Sequence, residues 1–411
     1  MDTESDVFEL NNEESNIETG IPEINTDIFD IETGIPEMNT DIFDIETGIP
    51  EFDEGDIETE TDVVYSDTRL PENVLPVAYR LDFYTSIENS TFDGKEEIDI
   101  EILKETNSII FHSENLSLSN ITISNENEIL KPNSIQYIKE SNFVTLNFNE
   151  TLKSETNYTL HMQYSGKLNS NGIGYFIEEY DNEDDSQSRM AATQFEAADA
   201  RRAFPCFDEP QLKATFQLNM TVNDGYNALS NMNVVEIKEI KNLNLKQKKY
   251  IFANSVKMST YLVAFMVSKF QSISDKYNDI DVSVYVIPDL IEDAKYSLKV
   301  AIKLLEFYEN LLKIPYPLPK LDLVGVPNLV FGGMENWGLI NFRSESILWN
   351  EETGTDIDKY GVVTLIAHEI AHQWFGNIVT MKWWDDFWLN EGFANYMQNI
   401  ATDVVEPELG I

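Results

Sequence analysis

Two of the chain's four histidines, His368 and His372, fall in HEIAH within the run VVTLIAHEIAHQWFGN. On a helix, positions i and i+4 share a face, so both imidazoles can reach one cation. Glu369 sits one residue after the first histidine, placed to work on a metal-bound water instead of serving as a ligand. Catalytic zinc takes three protein groups and leaves a position for water, so a third ligand is required. WWDDFWLNEGFANYM supplies one at Glu391, with 18 residues between it and His372, on a second helix-like segment. HExxH alone also arises by chance on amphipathic helices; Glu391 at this spacing argues against chance here. Trp383, Trp384 and Trp388 are expected to pack between the two ligand helices.

The elements that must carry this constellation follow from periodicity. From Arg69 to about residue 276 apolar residues alternate with polar ones. Ile98, Ile100 and Ile102 interleave with Glu97, Asp99 and Glu101, as do Val144, Leu146 and Phe148 with Thr145 and Asn147. Phe216, Leu218, Met220 and Val222 repeat the pattern, which predicts antiparallel strands with one wet face. After Pro288 the period becomes helical: Ala294, Leu298, Ala301, Leu305, Tyr308 and Leu312 form one core-facing stripe, ended by Pro315.

The rest of the composition bounds the function. Net charge is −45 over 411 residues, from 73 acidic and 28 basic side chains. Such acidity excludes nucleic acid as a main partner, which demands Lys/Arg surfaces. Residues 1–68 hold 23 of the acids and no Lys or Arg, in a 14-residue repeat: IETGIPEINTDIFD (17–30), IETGIPEMNTDIFD (31–44) and a decayed third copy from Ile45. Gly-Ile-Pro in each copy breaks a helix, and unpaired charge cannot offset ordering entropy. A disordered acidic tail is expected, with DIFD as a docking motif for a basic partner the sharper alternative. Cys206 stands alone, so no internal disulfide forms. The longest apolar run has seven residues, against the roughly 20 of a spanning helix. No signal peptide is visible, which makes a cytoplasmic location the default. Six N-x-S/T sequons, all in the β region, are close to the number expected by chance, and a cell-surface or extracellular location stays open for a longer form.

With the motifs in view, residues 68–411 resemble the M1 family of zinc aminopeptidases, of the gluzincin type. The likeness rests on TRLPENVLPVAYRLDFY (68–84), TQFEAADARRAFPCFDEP (193–210), MSTYLVAF (258–265), GGMENWGLI (332–340), HEIAHQWFGN and WLNEGFA. With the acidic tail (1–68) lying outside the likeness, the chain reads as multi-domain: that tail, an antiparallel β-sheet domain (69–276), then an incomplete α+β thermolysin-like metallopeptidase domain (277–411). The likeness implies one Zn2+ on His368, His372 and Glu391, Glu369 as the catalytic acid/base, and peptides with a free N-terminus as substrates. Glu335 would bind the substrate ammonium, with Gln194 and Glu196 lining the same region and Gly332, Gly333, Met334 and Asn336 completing the substrate strand. The glycines would let that strand approach, having no Cβ. The family's transition-state tyrosine is expected several dozen residues beyond Glu391; Tyr396 is too close for that role, and the chain ends 20 residues after Glu391. Activity of the 411-residue form is therefore expected to be reduced. Gly333 replaces the family's usual alanine, and Ser344 follows Arg343 where the family has an acid, so local packing there should differ. A thermolysin-like endopeptidase and a catalytically impaired peptide-binding protein remain as alternatives.

Overall fold

Inward-facing residues of the long strands are apolar at every second position, and that period closes two sheets on one core. The computed structural model describes residues 69–409 apart from 183, 185, 243 and 244, so the acidic tail and its docking motif lie outside the described residues. The largest sheet has eight strands, in the order Val234–Asn242, Leu245–Phe252, Thr215–Asn223, Val74–Ser86, Thr91–Ile102, Thr156–Lys167, Ser117–Ser124 and Ile129–Leu130. Ile98, Ile100, Ile102, Leu81, Phe83, Leu218 and Met220 point inward and are buried. Tyr79 stacks on Phe216 with centroids 4.7 Å apart, and Phe83 meets Phe265 at 4.6 Å. Phe265 belongs to a second sheet of four strands, Asn227–Ser230, Phe265–Ser268, Gln187–Gln194 and Gly174–Asp181. A third sheet holds Thr106–His112, Phe143–Leu152 and Ser134–Ile138.

The expectation of a purely antiparallel sheet needs one correction. Val74–Ser86 pairs in parallel with Thr215–Asn223. The two strands are far apart in sequence, so no hairpin dictates their relative direction.

A five-stranded mixed sheet follows, in the order Gln271–Tyr277, Ile280–Val286, Lys320–Val326, Leu339–Arg343 and Gly333–Met334. The boundary expected after residue 276 falls inside the first of these strands, whose partner is Ile280–Val286. Three long helices complete the fold: α1 (Lys295–Leu312), α2 (Asp356–Ala371) and α3 (Trp388–Val405). The buried stripe of α1 is centred on Val300, Leu304 and Leu305, with Leu298 and Leu312 half-buried at its flanks. Lys313, in the left-handed conformation with φ 57°, ends the helix two residues ahead of Pro315. None of the described helices is long and apolar enough to cross a membrane.

An inward position of the eight-stranded sheet carries a carboxyl group. Glu96 lies in the row of Phe92, Ile98 and Ile100, fully buried, with no hydrogen-bond partner for either carboxyl oxygen. Burial raises its pKa well above the usual range. Above a pH of about 4.5 the unfolded chain releases this proton while the native state retains it, so the fold loses stability as pH rises through that value. Glu96→Met is therefore expected to stabilise the protein by about 1–3 kcal/mol at pH 7. Urea denaturation at pH 7 and pH 3 checks this: the gain should be smaller at pH 3, and an equal or larger gain there would refute the assignment.

Candidate metal centre

Helix α2 begins with a capping box, Thr355 and Asp358 each accepting from the other's backbone N–H. The first turns of the helix are exposed and its second half is buried; Val362, Val363, Ile366, Ala367 and Ile370 face the core, and Tyr308 of α1 donates to the Ala367 carbonyl. The remaining face carries His368 and His372 in its last turn. Glu391 stands in the first turn of α3, which packs beside α2. These termini suit their occupants, because a helix C-terminus favours a cation and an N-terminus a carboxylate.

The three side chains converge. His368 Nε2 lies 3.3 Å from Glu391 Oε2, and His372 Nε2 lies 3.3 Å from Glu391 Oε1. The two Nε2 atoms are 3.0 Å apart. Both Nδ1 atoms are already engaged, that of His368 with Gln398 Oε1 at 2.7 Å and that of His372 with the Phe375 carbonyl at 2.9 Å. Since those partners only accept, each Nδ1 carries a proton, and Nε2 is the atom each ring can turn to a cation by giving up any proton it holds. Two such nitrogens and two carboxylate oxygens aimed at one point fit a cation, and the N2O donor set with a second sphere of Gln398 and Phe375 fits zinc.

Carboxylates dominate the field. Burial pulls both imidazoles down, but the acids outweigh it: Glu391 and Glu369 raise His368, and Glu335, Glu391 and Glu369 bring His372 up to about 10. Burial raises Glu391, yet its bonds to the two imidazoles bring it down to about 2. Glu369 is fully buried, and desolvation pushes it up to about 7 against the pull of His372 and His368. Glu196 is raised well above the usual range by burial and by Glu335.

The GGMEN segment forms the outer edge of the five-stranded sheet. Gly333 and Met334 pair with Phe342 and Asn341, leaving the other side of this two-residue strand without a neighbour in the sheet. Glu335 is buried, its Oε1 without a hydrogen-bond partner and 3.9 Å from His372 Nδ1. Glu196 Oε1 is likewise buried and unpartnered, as is Gln194 Oε1, while Gln194 Nε2 donates to Met334 Sδ at 3.2 Å. Thus Glu335, Glu369 and His372 share one cluster, and Glu196 interacts with it. Met334 and Asn336 are almost fully buried at 1% and 0% exposure, and both side-chain polar atoms of Asn336 lack a hydrogen-bond partner.

Three local expectations change. A Cβ on Gly333 would overlap the Glu369 carboxylate, so this glycine makes room for the acid; a Cβ on Gly332 would meet Leu365 only at 3.7 Å. Arg343 needs no acid at 344. Its guanidinium donates to the Leu329 and Val330 carbonyls at 2.9 and 2.7 Å, pinning the chain that leads into Gly332. Trp388 is 62% exposed and does not pack between the ligand helices; Trp383 stacks under Arg69 at 3.6 Å and Trp384 edges onto Tyr261.

Sequence reasoning missed the residues that orient these groups. Gln373 Nε2 and Asn377 Nδ2 both donate to the Glu335 carbonyl, at 3.1 and 2.9 Å, tying the sheet edge to the end of α2. Gln398 holds His368. Helical spacing could have found two of them: Gln373 is four residues after Glu369, and Gln398 is seven after Glu391.

Residues 75–262 match the Peptidase M1 N-terminal domain, and residues 296–411 match the Peptidase family M1 domain. The chain is 40% identical over 351 residues to endoplasmic reticulum aminopeptidase 1 of Rattus norvegicus, covering 84% of this chain and 37% of that protein. Aminopeptidase M1 of Arabidopsis thaliana is 38% identical over 352 residues, covering 84% and 39%. Puromycin-sensitive aminopeptidase of Caenorhabditis elegans is 36% identical over 345 residues, covering 84% and 36%. The chain thus spans little more than a third of the length of these curated relatives. Two domain matches in order, and relatives that are aminopeptidases throughout, make this chain a member of the M1 peptidase family.

Proposed function

We propose that His368, His372 and Glu391 hold a zinc ion and that this centre hydrolyses the first peptide bond of peptides with a free N-terminus. The observation that carries the reading is the pair of Nε2 atoms 3.0 Å apart, both Nδ1 atoms already bonded, with Glu391 between them. Zinc bound there would supply Lewis-acid polarisation of the scissile carbonyl and a water of lowered pKa.

The remaining work belongs to the chain's own groups. Glu369, with a pKa near 7, is matched to accept a proton from the attacking water and return it to the departing amine. Glu335 and Glu196 offer unpartnered buried carboxyl oxygens, the acceptors an α-ammonium requires. The open side of Gly333–Met334 lets a substrate backbone add to the sheet as a further antiparallel strand. That strand fixes the scissile bond, while the carboxylates at its end stop it after one residue. The same features support an exopeptidase over an endopeptidase.

Two measurements test the reading. Metal analysis of the purified chain should give one zinc per chain, lost in His372→Ala and retained in Glu369→Gln. The latter should lower turnover of an aminoacyl fluorogenic substrate by about 10²–10⁴-fold. Zinc retained in His372→Ala would remove that residue from the ligand set. Glu335→Gln should raise KM for a free-amine peptide by about ten- to a hundredfold, consistent with loss of a charge-assisted bond. Cleavage of the N-acetylated peptide at a rate similar to the free one would overturn the exopeptidase assignment.

A further inference from the structure

The face of α2 that carries His368 continues toward the start of the helix. Leu365 and Gly361 lie three and seven residues before His368, so they extend the same stripe. There they form one wall of an open groove of about 600 Å3, whose other wall is the loop holding Leu348 and Trp349. Leu365 connects the groove to the substrate edge, because the same side chain stands 3.7 Å from where a Gly332 Cβ would be.

The groove has a defined charge. Asp293, Glu345 and Asp358 line it, and none of its lining residues is Lys or Arg. The nearest cations are committed elsewhere. Lys359 lies over the Trp349 and Tyr296 rings and pairs with Glu406, and Arg343 is bonded to the Leu329 and Val330 carbonyls. Asp358 caps α2 and Asp293 accepts from Asn350. Glu345 is 72% exposed and reaches Arg343 only at 3.9 Å.

We propose that this groove binds the downstream part of a peptide substrate and favours a basic side chain three positions past the scissile bond. The direction rests on the reading that Glu335 and Glu196 hold the amine. With the N-terminus at Glu335, an antiparallel strand runs from Met334 toward Gly332, and beyond Gly332 lies Leu365. From His368 to Gly361 the helix rises about 10 Å, which an extended peptide covers in about three residues. The occupant is set by continuity with the substrate edge and by charge: apolar walls for the stem of Lys or Arg, carboxylates at the rim for its head.

The test uses peptides Leu-Ala-Ala-Xaa-Ala carrying a C-terminal fluorophore, with the first bond reduced to CH2–NH so that it cannot be cleaved. Dissociation constants are read by anisotropy on the full chain loaded with zinc. The peptide with Xaa Arg should bind about fivefold more tightly than that with Xaa Glu, in keeping with partly exposed ion pairs. Glu345→Lys should shrink the ratio to about twofold. Gly361→Arg, where a Cβ meets nothing within 4 Å, should abolish it by filling the groove. Glu140→Lys, an exposed acid of the β region, should leave the ratio unchanged. Equal affinities for Arg, Ala and Glu peptides, no binding by any of them, or a ratio untouched by Glu345→Lys would overturn the groove. Hydrolysis is scored separately on the cleavable peptides. A charge preference in binding with no hydrolysis would sink the aminopeptidase reading and leave the groove standing.

Discussion

Two imidazole nitrogens that face each other at 3.0 Å, each with its opposite nitrogen already donating, set the terms for the rest of this structure. Without a proton or a cation between them such nitrogens repel, and a fold that holds them this close must fix both rings from behind. Gln398 does this from α3 and the Phe375 carbonyl from the turn after α2. The i, i+4 spacing supplies the common face, and Glu391 in the first turn of α3 requires the two helices to lie side by side. The Thr364 and Thr402 hydroxyls, 3.3 Å apart, join the two helices directly, and Tyr308 of α1 braces α2 through the Ala367 carbonyl, one residue before His368.

The sheet edge is registered to the same helix. Because Gln373 and Asn377 both donate to the Glu335 carbonyl, the position of Glu335 is tied to the end of α2. A second brace comes from the four-stranded sheet, where the Thr193 carbonyl accepts from Asn341 Nδ2 at 3.1 Å. That bond brings Gln194 and Glu196 over the substrate edge although they lie about 140 residues earlier in the chain. Behind the edge, Lys320 Nζ joins Asp322 Oδ2 to the Ser230 and Gly338 carbonyls, all buried. A fully bonded buried ion pair of this kind costs little while it is intact and much when one partner is removed.

What the sequence disclosed depended on whether the signal was periodic. Strand interiors such as Ile98–Ile102 and the ligand pair on α2 are local repeats of two and four residues, and both are where the repeats put them. Glu391 was visible through its spacing. Glu96 was not, since an acid in the row KEEIDIEI looks like one more wet position, and only the strand register shows it facing inward. The α1 stripe was displaced by one position because Val300 and Leu304 deepen it beyond the residues that define its period. Gly333 was read as a concession to the substrate; its steric partner, Glu369, is 36 residues away and no spacing rule connects them. Trp388 carried an apolar side chain into a run of tryptophans that otherwise do pack, and composition alone could not separate it.

Charge balance links the metal to the substrate. Glu196, Glu335, Glu369 and Glu391 crowd two histidines in a space where each acid raises or lowers the next. Buried like charges at this density destabilise a fold unless cations offset them or protons neutralise them. In the proposed function, a divalent ion on His368, His372 and Glu391 would answer part of that surplus, and the α-ammonium of a peptide would answer more of it beside Glu335 and Glu196. An internal peptide segment brings no such cation and would leave those two carboxyl groups buried without a partner. In the proposed function, a preference for a free N-terminus would follow electrostatically from the same cluster that would hold the metal. Steric closure of the cleft is not needed to produce it.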